Sequence, residues 1–129
     1  MDPLAEIDFT KGGGLVTAIA VDDERGDVLM VAHANEESLR KTLETGEVHY
    51  WSRARGRLWR KGEESGFTQR LRSLWIDCDG DVVVFRVEQR GGAACHTGRR
   101  SCFFRRLEGG GWAIEGGEPL FDPKQVYGR

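Results

Sequence analysis

The amino-acid sequence predicts a mainly β protein of the β-rich α+β class, a compact folded sheet or pseudo-barrel with one short helix near residues 35–45. Two observations favour strands. Short runs rich in apolar and β-branched residues recur along the chain, and many of its 18 glycines separate them. A third observation limits the helical content, because one segment stands out with helix signals at both of its ends.

The strand-like runs are predicted to pair as hairpins in chain order. Residues 15–21 and 28–34 flank the turn-rich DDERGD, and residues 47–54 and 57–62 flank a turn at Arg55-Gly56. Residues 67–78 and 81–89 flank Asp79-Gly80, a dipeptide typical of tight hairpins. Another run at 102–108 precedes three glycines and the segment WAIEG, after which the tail is expected to be irregular.

The predicted helix occupies the segment NEESLRKTLETG. Asn35 is a favourable N-cap residue, and acidic residues follow it in the first turn. Leu39 and Leu43 are four residues apart and therefore share a face of the helix. Gly46 suits the residue that follows a helix, where a left-handed backbone is common.

Length and composition predict one domain covering residues 1–129 in a reducing compartment. The first residues are acidic and do not show the basic and then apolar pattern of a signal peptide. No apolar run approaches the ~20 residues of a membrane helix. Three cysteines cannot all pair within one chain, which favours reduced thiols and a cytoplasmic location.

Positive charge is concentrated in the middle of the chain. The formal net charge is −2, yet residues 51–106 hold 12 arginines and 1 lysine against 6 acids. Arginine binds phosphate through paired N–H groups, and tryptophan can stack on a flat ring. The alternative is a set of solvated strand faces with tryptophans in the core. The candidate substrate-binding residues are Trp51, Ser52, Arg53, Trp59, Lys61, Arg99 and Arg100.

Three aspartates at the 77–81 hairpin form a candidate magnesium site. In an extended strand Asp77, Asp79 and Asp81 would point to one side, with Cys78 on the other. Carboxylate oxygens suit a hard ion such as Mg²⁺, whereas a thiolate suits zinc. The alternative is that these aspartates serve only the turn, where the residue type is common.

The three cysteines form a candidate zinc site. Cys95 and Cys102 lie in the polar, glycine-containing loop CHTGRRSC, which is an unusual place for an inert buried thiol. If Cys78 joins them on one ion, three protein ligands leave a fourth position open, as in catalytic zinc sites. His96 is then the candidate catalytic base or proton shuttle, although it could instead close the site as a fourth ligand.

Two other classes of protein remain open at this point. A zinc-stabilised module that binds RNA or nucleotides would use the same basic segments, but it gives the three aspartates no role. A thiol redox protein is disfavoured because the sequence has no C-x-x-C motif.

Four segments carry a resemblance to a known family. They are GDVLM at 26–30, TLETGEVHYWSRARGRLWRKGEESG at 42–66, DCDGD at 77–81 and ACHTGRRSC at 94–102. Together they resemble the phosphoribosyl-AMP cyclohydrolases of histidine biosynthesis, from about Leu15 to Cys102. Two positions depart from the usual pattern: Phe67 stands where the family commonly has Asn or His, and His33 where it has Tyr.

The resemblance implies a hydrolase that opens the adenine ring of 1-(5-phosphoribosyl)-AMP. Water adds at ring carbon 6, the bond to ring nitrogen 1 breaks, and a formimino imidazole carboxamide results. It also implies zinc on Cys78, Cys95 and Cys102 and magnesium on Asp77, Asp79 and Asp81. An intertwined homodimer is expected, in which Cys78 comes from one subunit and the other two cysteines from its partner. The expected partners are this substrate and a second copy, not nucleic acid or membrane, and no fused pyrophosphohydrolase domain is expected.

Overall fold

Strands dominate the structure, a computed structural model that describes residues 2–127. The strands are β1 (Val16–Asp22), β2 (Val28–Ala34), β3 (His49–Ser52), β4 (Arg57–Arg60), β5 (Gln69–Ile76), β6 (Val82–Gln89), β7 (Arg105–Glu108) and β8 (Gly111–Ile114). The helices are α1 (Glu36–Thr45), α2 (Pro123–Tyr127) and a 3₁₀ turn at Pro3–Glu6. The predicted β-rich α+β class is confirmed.

The main sheet has four strands in the order β2-β1-β6-β5. Strands β1 and β6 pair in parallel at its centre, and the outer pairs are antiparallel. The central strands supply Ala18, Ala20, Val83 and Phe85, all fully buried. Both strands are rich in apolar residues, as is typical of strands whose faces are covered at the centre of a sheet. The sheet remains open, so among residues 2–127 the strands do not close into a barrel.

Helix α1 follows its sequence signals closely. The Asn35 side chain accepts a hydrogen bond from the Ser38 N–H at 2.8 Å, and the Ser38 hydroxyl oxygen accepts one from the Asn35 N–H at 2.9 Å. This reciprocal capping box satisfies two N–H groups that have no partner within the helix. Gly46 ends the helix with a φ of 76°. Leu39 is fully buried, whereas Leu43 on the same face stays exposed in the single chain.

The remaining strands form two separate hairpins, β3-β4 and β7-β8. Both match the sequence prediction, although β7 begins at Arg105 and leaves Phe103 and Phe104 outside it. The short helix α2 and the 3₁₀ turn were not predicted, because neither has the length to show a periodic pattern. No helix within residues 2–127 has the length and apolar character needed to cross a bilayer.

The N-terminal segment packs on the tip of the β5-β6 hairpin. Gly80 lies there with a φ of 75°, and its carbonyl accepts a hydrogen bond from the Asp8 N–H at 2.7 Å. A Cβ at this glycine would lie 2.6 Å from the carbonyl oxygen of Glu6. The Asp-Gly turn is therefore a packing site as well as a hairpin turn.

Gly80→Ala is expected to destabilise the protein more than a matched glycine substitution elsewhere. Gly26 is the control, because its φ is 81° but a Cβ there would meet nothing within 4 Å. Left-handed strain alone should cost about 1–2 kcal/mol in Gly26→Ala, and the added clash should bring Gly80→Ala to about 2–4 kcal/mol. Urea unfolding measures both values. Equal losses would contradict the close packing at residue 80.

Candidate active site

Half of the predicted site residues line one cleft of about 540 Å³. The β3-β4 hairpin, strand β2 and the loop after β6 all contribute residues to its lining. The predicted residues that line it are Trp51, Ser52, Arg53, Trp59, Lys61, His96 and Cys102. Two tryptophans, several cationic residues, a histidine and a cysteine therefore line one space, a composition that suits a phosphorylated aromatic substrate.

Arginines give the cleft its positive charge. Arg57 forms an ion pair with Glu63, and Arg60 forms one with Glu47 at 3.4 Å. Arg53 and Arg55 also line the cleft. Among the ion pairs of the described residues neither side chain is engaged, so both can meet an anion in the cleft.

Lys61 ties strand β4 to the cysteine-bearing loop. Its Nζ donates to the carbonyl oxygen of Ala94 at 2.5 Å and lies 6.0 Å from the centre of the Trp59 ring. Burial lowers the pKa of Lys61, while the nearby thiols of Cys102 and Cys95 act in the opposite direction. The ammonium group is thus held among the groups that would meet a substrate.

The loop from Cys95 to Cys102 brings two of the three thiols together. The Cys95 N–H donates to the Arg99 carbonyl at 3.1 Å, and the Cys102 N–H anchors the loop to the Leu29 carbonyl at 2.7 Å. The Thr97 hydroxyl donates to the Cys95 sulfur at 3.0 Å. Partial burial of the sulfur, and then interaction with Cys95, raises the pKa of Cys102 to about 12, although the residue as a whole is exposed. Two neighbouring sulfurs are a donor set that suits zinc.

Cys78 lies apart from this pair in the single chain. It is exposed on the β5-β6 turn, beside Trp75 and Ile76, which are 59% and 43% exposed. Among the described residues, the group whose candidate ligand atoms lie within 4.8 Å of one another contains the three aspartates and no cysteine. Within one chain, the three thiols do not converge.

The carboxylates of Asp77, Asp79 and Asp81 do converge, at the β5-β6 turn. Lys11 Nζ lies 3.0 Å from an Asp79 carboxylate oxygen and 3.8 Å from one of Asp81. The hydrogen bond from Lys11 lowers the pKa of Asp79, whereas the neighbouring Asp79 raises that of Asp81. Asp77 also serves the turn, because its Oδ1 accepts from the N–H groups of Asp81 and Val82.

Arg99 and Arg100 do not line the cleft. Arg100 pairs with Asp22 and Asp27 across the β1-β2 turn, and it lowers the pKa of Asp27. The Arg99 guanidinium stacks 4.6 Å from the Phe104 ring centre and donates to the Gly117 carbonyl at 2.7 Å. In the single chain both side chains fasten the loop to its surroundings.

Sequence reasoning missed several residues of the cleft. Met30, Ala32 and His33 come from β2, and Tyr127 comes from α2 near the other end of the chain. The β2 residues reach the cleft because β2 packs beside β3, a contact between segments that no local pattern reveals. No sequence pattern pointed to Tyr127 as a site residue, since its segment was predicted to be an irregular tail.

Comparison with known proteins identifies the family. The family model described as phosphoribosyl-AMP cyclohydrolase matches residues 30–104. Relatives of that name include the protein of Marinobacter nauticus, 55% identical over 98% of this chain and 91% of its own length. The Chromobacterium violaceum protein is 60% identical over 88% of this chain and 86% of its own length. The Methanothermobacter thermautotrophicus protein is 55% identical over 92% of this chain and 86% of its own length. The chain therefore belongs to the phosphoribosyl-AMP cyclohydrolase family.

Proposed function

We propose that this protein catalyses hydrolytic opening of the adenine ring of 1-(5-phosphoribosyl)-AMP, a step of histidine biosynthesis. The observation that carries the proposal is the 55–60% identity to relatives named for this activity. The cleft supports it, because His96 and Cys102 line the same space as two tryptophans and four arginines. The reduced thiols also suit the cytoplasm, where such a substrate would be met.

The β3-β4 hairpin supplies the binding surface for the substrate. Trp59 packs on the buried Tyr50 with ring centres 5.1 Å apart, so its ring is held in place before a ligand arrives. A flat purine ring can pack against the ring of Trp59. Arg53 and Arg55 would hold phosphate, and pre-set side chains reduce the ordering cost of binding.

Hydrolysis at ring carbon 6 requires an activated water and a group that accepts its proton. Zinc held by Cys95 and Cys102 of one chain and Cys78 of a second would supply Lewis-acid activation of the attacking water. His96 follows Cys95 directly and lines the cleft, so it can accept a proton there. The positive charge of the ribosylated ring makes carbon 6 electrophilic, which assists attack.

A homodimer is part of this proposal. Cys78 is exposed, and among the described residues it does not group with the other two thiols of its own chain. Trp75 and Ile76 beside it are large apolar side chains facing solvent, and a second copy would cover them. Pairing through this hairpin would deliver Cys78 to the partner's loop.

The three aspartates are proposed to bind Mg²⁺, as their oxygen donors favour. Asp79→Asn should weaken Mg²⁺ binding by on the order of tenfold or more, since a charged ligand is lost, while zinc content stays unchanged. Isothermal titration with Mg²⁺ and elemental analysis measure the two effects. Glu24→Gln, an equal charge change on the β1-β2 turn, is the control. Loss of zinc together with magnesium would mean that the aspartates hold the turn rather than an ion.

The test of the function is direct. Purified protein is given phosphoribosyl-AMP, and ring opening is followed by the change in ultraviolet absorbance, with and without a chelator. The proposal predicts turnover that the chelator abolishes and that zinc with magnesium restores. Tight substrate binding without any turnover would instead favour the nucleotide-binding module.

A further inference from the structure

We propose that the C-terminal segment 117–127 is a working part of the active site: it holds the loop that carries Cys95 and His96, and it supplies Tyr127 as a substrate-contacting wall of the cleft. The segment lies beyond residues 30–104, which the family model matches. The inference rests on the proposed function, because it assigns Tyr127 to the same substrate.

The first observation is that two hydrogen bonds, one between backbone groups and one from a side chain, fasten the segment to the cysteine loop. The Leu120 N–H donates to the Gly98 carbonyl at 2.7 Å, and Arg99 donates to the Gly117 carbonyl at 2.7 Å. The fit at Gly98 is close, since a Cβ there would lie 2.3 Å from the Phe121 carbonyl oxygen. Only glycine is accommodated at this contact, and its φ of 88° requires glycine as well.

The second observation is a chain of three aromatic rings. Phe67, from the loop before β5, packs on Phe121 with ring centres 5.1 Å apart, and Phe121 packs on Tyr127 at 6.2 Å. Gly91 makes room for the first ring, because a Cβ there would lie 2.2 Å from the Phe67 side chain. Such pairs add attraction beyond the apolar area that they bury. The tail is thus anchored both on the cysteine loop and on the loop before β5.

The third observation is that the anchored segment ends at the cleft. Tyr127 lines the same cleft as Trp51, Trp59 and His96. Its ring is partly buried and is held by Phe121. A fixed aromatic ring offers a large contact area at a small entropic cost. The structure therefore assigns Tyr127 to substrate binding and Phe121 to positioning.

Steady-state kinetics with phosphoribosyl-AMP tests the role of Tyr127. Tyr127→Ala should raise KM by roughly tenfold while kcat stays within about twofold, because uniform binding is lost. Tyr127→Phe keeps the ring and should restore KM to within about twofold of the unmodified protein. Gln125→Ala is the matched control, since its exposed side chain lies on the same short helix but outside the cleft lining.

Phe121→Ala tests the anchoring. It should raise KM and also lower kcat, since the loop bearing His96 loses support, and it should speed amide exchange over residues 95–100. Exchange in Tyr127→Ala should stay unchanged over the same residues. A loop whose exchange is unaffected by Phe121→Ala would overturn the anchoring, and an unchanged KM in Tyr127→Ala would overturn the binding role.

Failure of this inference is distinguishable from failure of the proposed function. The inference alone is overturned if the unmodified protein turns over phosphoribosyl-AMP and the Tyr127 and Phe121 variants have the same KM, kcat and amide exchange as that protein. An unmodified, metal-loaded protein without turnover overturns both. The thermal unfolding midpoint of each variant shows whether it is folded at the assay temperature. If Tyr127→Ala is partly unfolded there, to an extent that explains its weaker kinetics, the result also counts against a binding role.

Discussion

Replacing Cys95 by serine is expected to abolish zinc binding and hydrolysis together. Cys95 is buried, and its sulfur lies beside that of Cys102, so the two thiols present a shared soft donor pair. A serine hydroxyl is a much poorer ligand, because zinc favours thiolate sulfur and the hydroxyl does not ionise at neutral pH. Elemental analysis should find less than about a tenth of the zinc bound by the unmodified protein, with turnover lost in proportion.

A change to the hydroxyl that touches the same sulfur provides the control. Thr97 donates to Cys95 at 3.0 Å, and Thr97→Val removes that bond while keeping all three thiols. This variant should retain zinc and most of the activity, with at most a modest loss of affinity. If Cys95→Ser keeps a full complement of zinc, Cys95 is not a ligand. If it loses zinc but keeps its turnover, the metal is not part of the reaction.

His96→Asn is expected to keep zinc while kcat falls by on the order of 10²–10⁴, the range for loss of an acid–base group. Asparagine preserves a polar side chain of similar size but cannot accept and return a proton. Because His96 is exposed in the loop rather than packed in the core, the substitution should leave the free energy of unfolding nearly unchanged. Stopped-flow or steady-state absorbance assays and metal analysis separate the two effects.

His33→Asn is the matched control for this prediction. His33 lines the same cleft from β2, so its replacement should alter KM more than kcat. A fully active His96→Asn would rule out proton transfer by His96. Loss of zinc in that variant would instead identify His96 as a fourth ligand that closes the metal site.

Much of the fold follows from local signals in the sequence. The β1-β2, β3-β4 and β5-β6 hairpins follow from glycine-containing turns between β-rich runs, and α1 follows from Asn35 and Gly46. These features are set by residues a few positions apart, which is the range that sequence patterns report. The parallel pairing of β1 with β6 joins residues some 65 positions apart, as in Thr17 with Val82, and no turn signal encodes it.

The sequence predicted which types of side chain the candidate site contains better than it predicted which residues line the cleft. The WSRARGRLWRK segment suggested a phosphate and ring site, and the structure places its tryptophans and arginines in the cleft. Arg99 and Arg100 looked equally available, yet acceptors far along the chain engage them: Gly117 for one, Asp22 and Asp27 for the other. Tyr127 lies at the cleft in a segment held by packing of Phe121 on Phe67, a contact between distant residues that local sequence patterns do not report.

The most direct test of the account mixes two inactive variants. In the proposed dimer each site takes Cys78 from one chain and Cys95 with Cys102 from the other, so a Cys78→Ser chain paired with a Cys95→Ser chain forms one intact site. Co-refolding equal amounts should restore about a quarter of the unmodified activity and zinc content, since about half of randomly paired dimers are hybrids with one working site of two. Each variant refolded alone should remain inactive. A mixture that stays as inactive as its components would contradict a metal site shared between two chains.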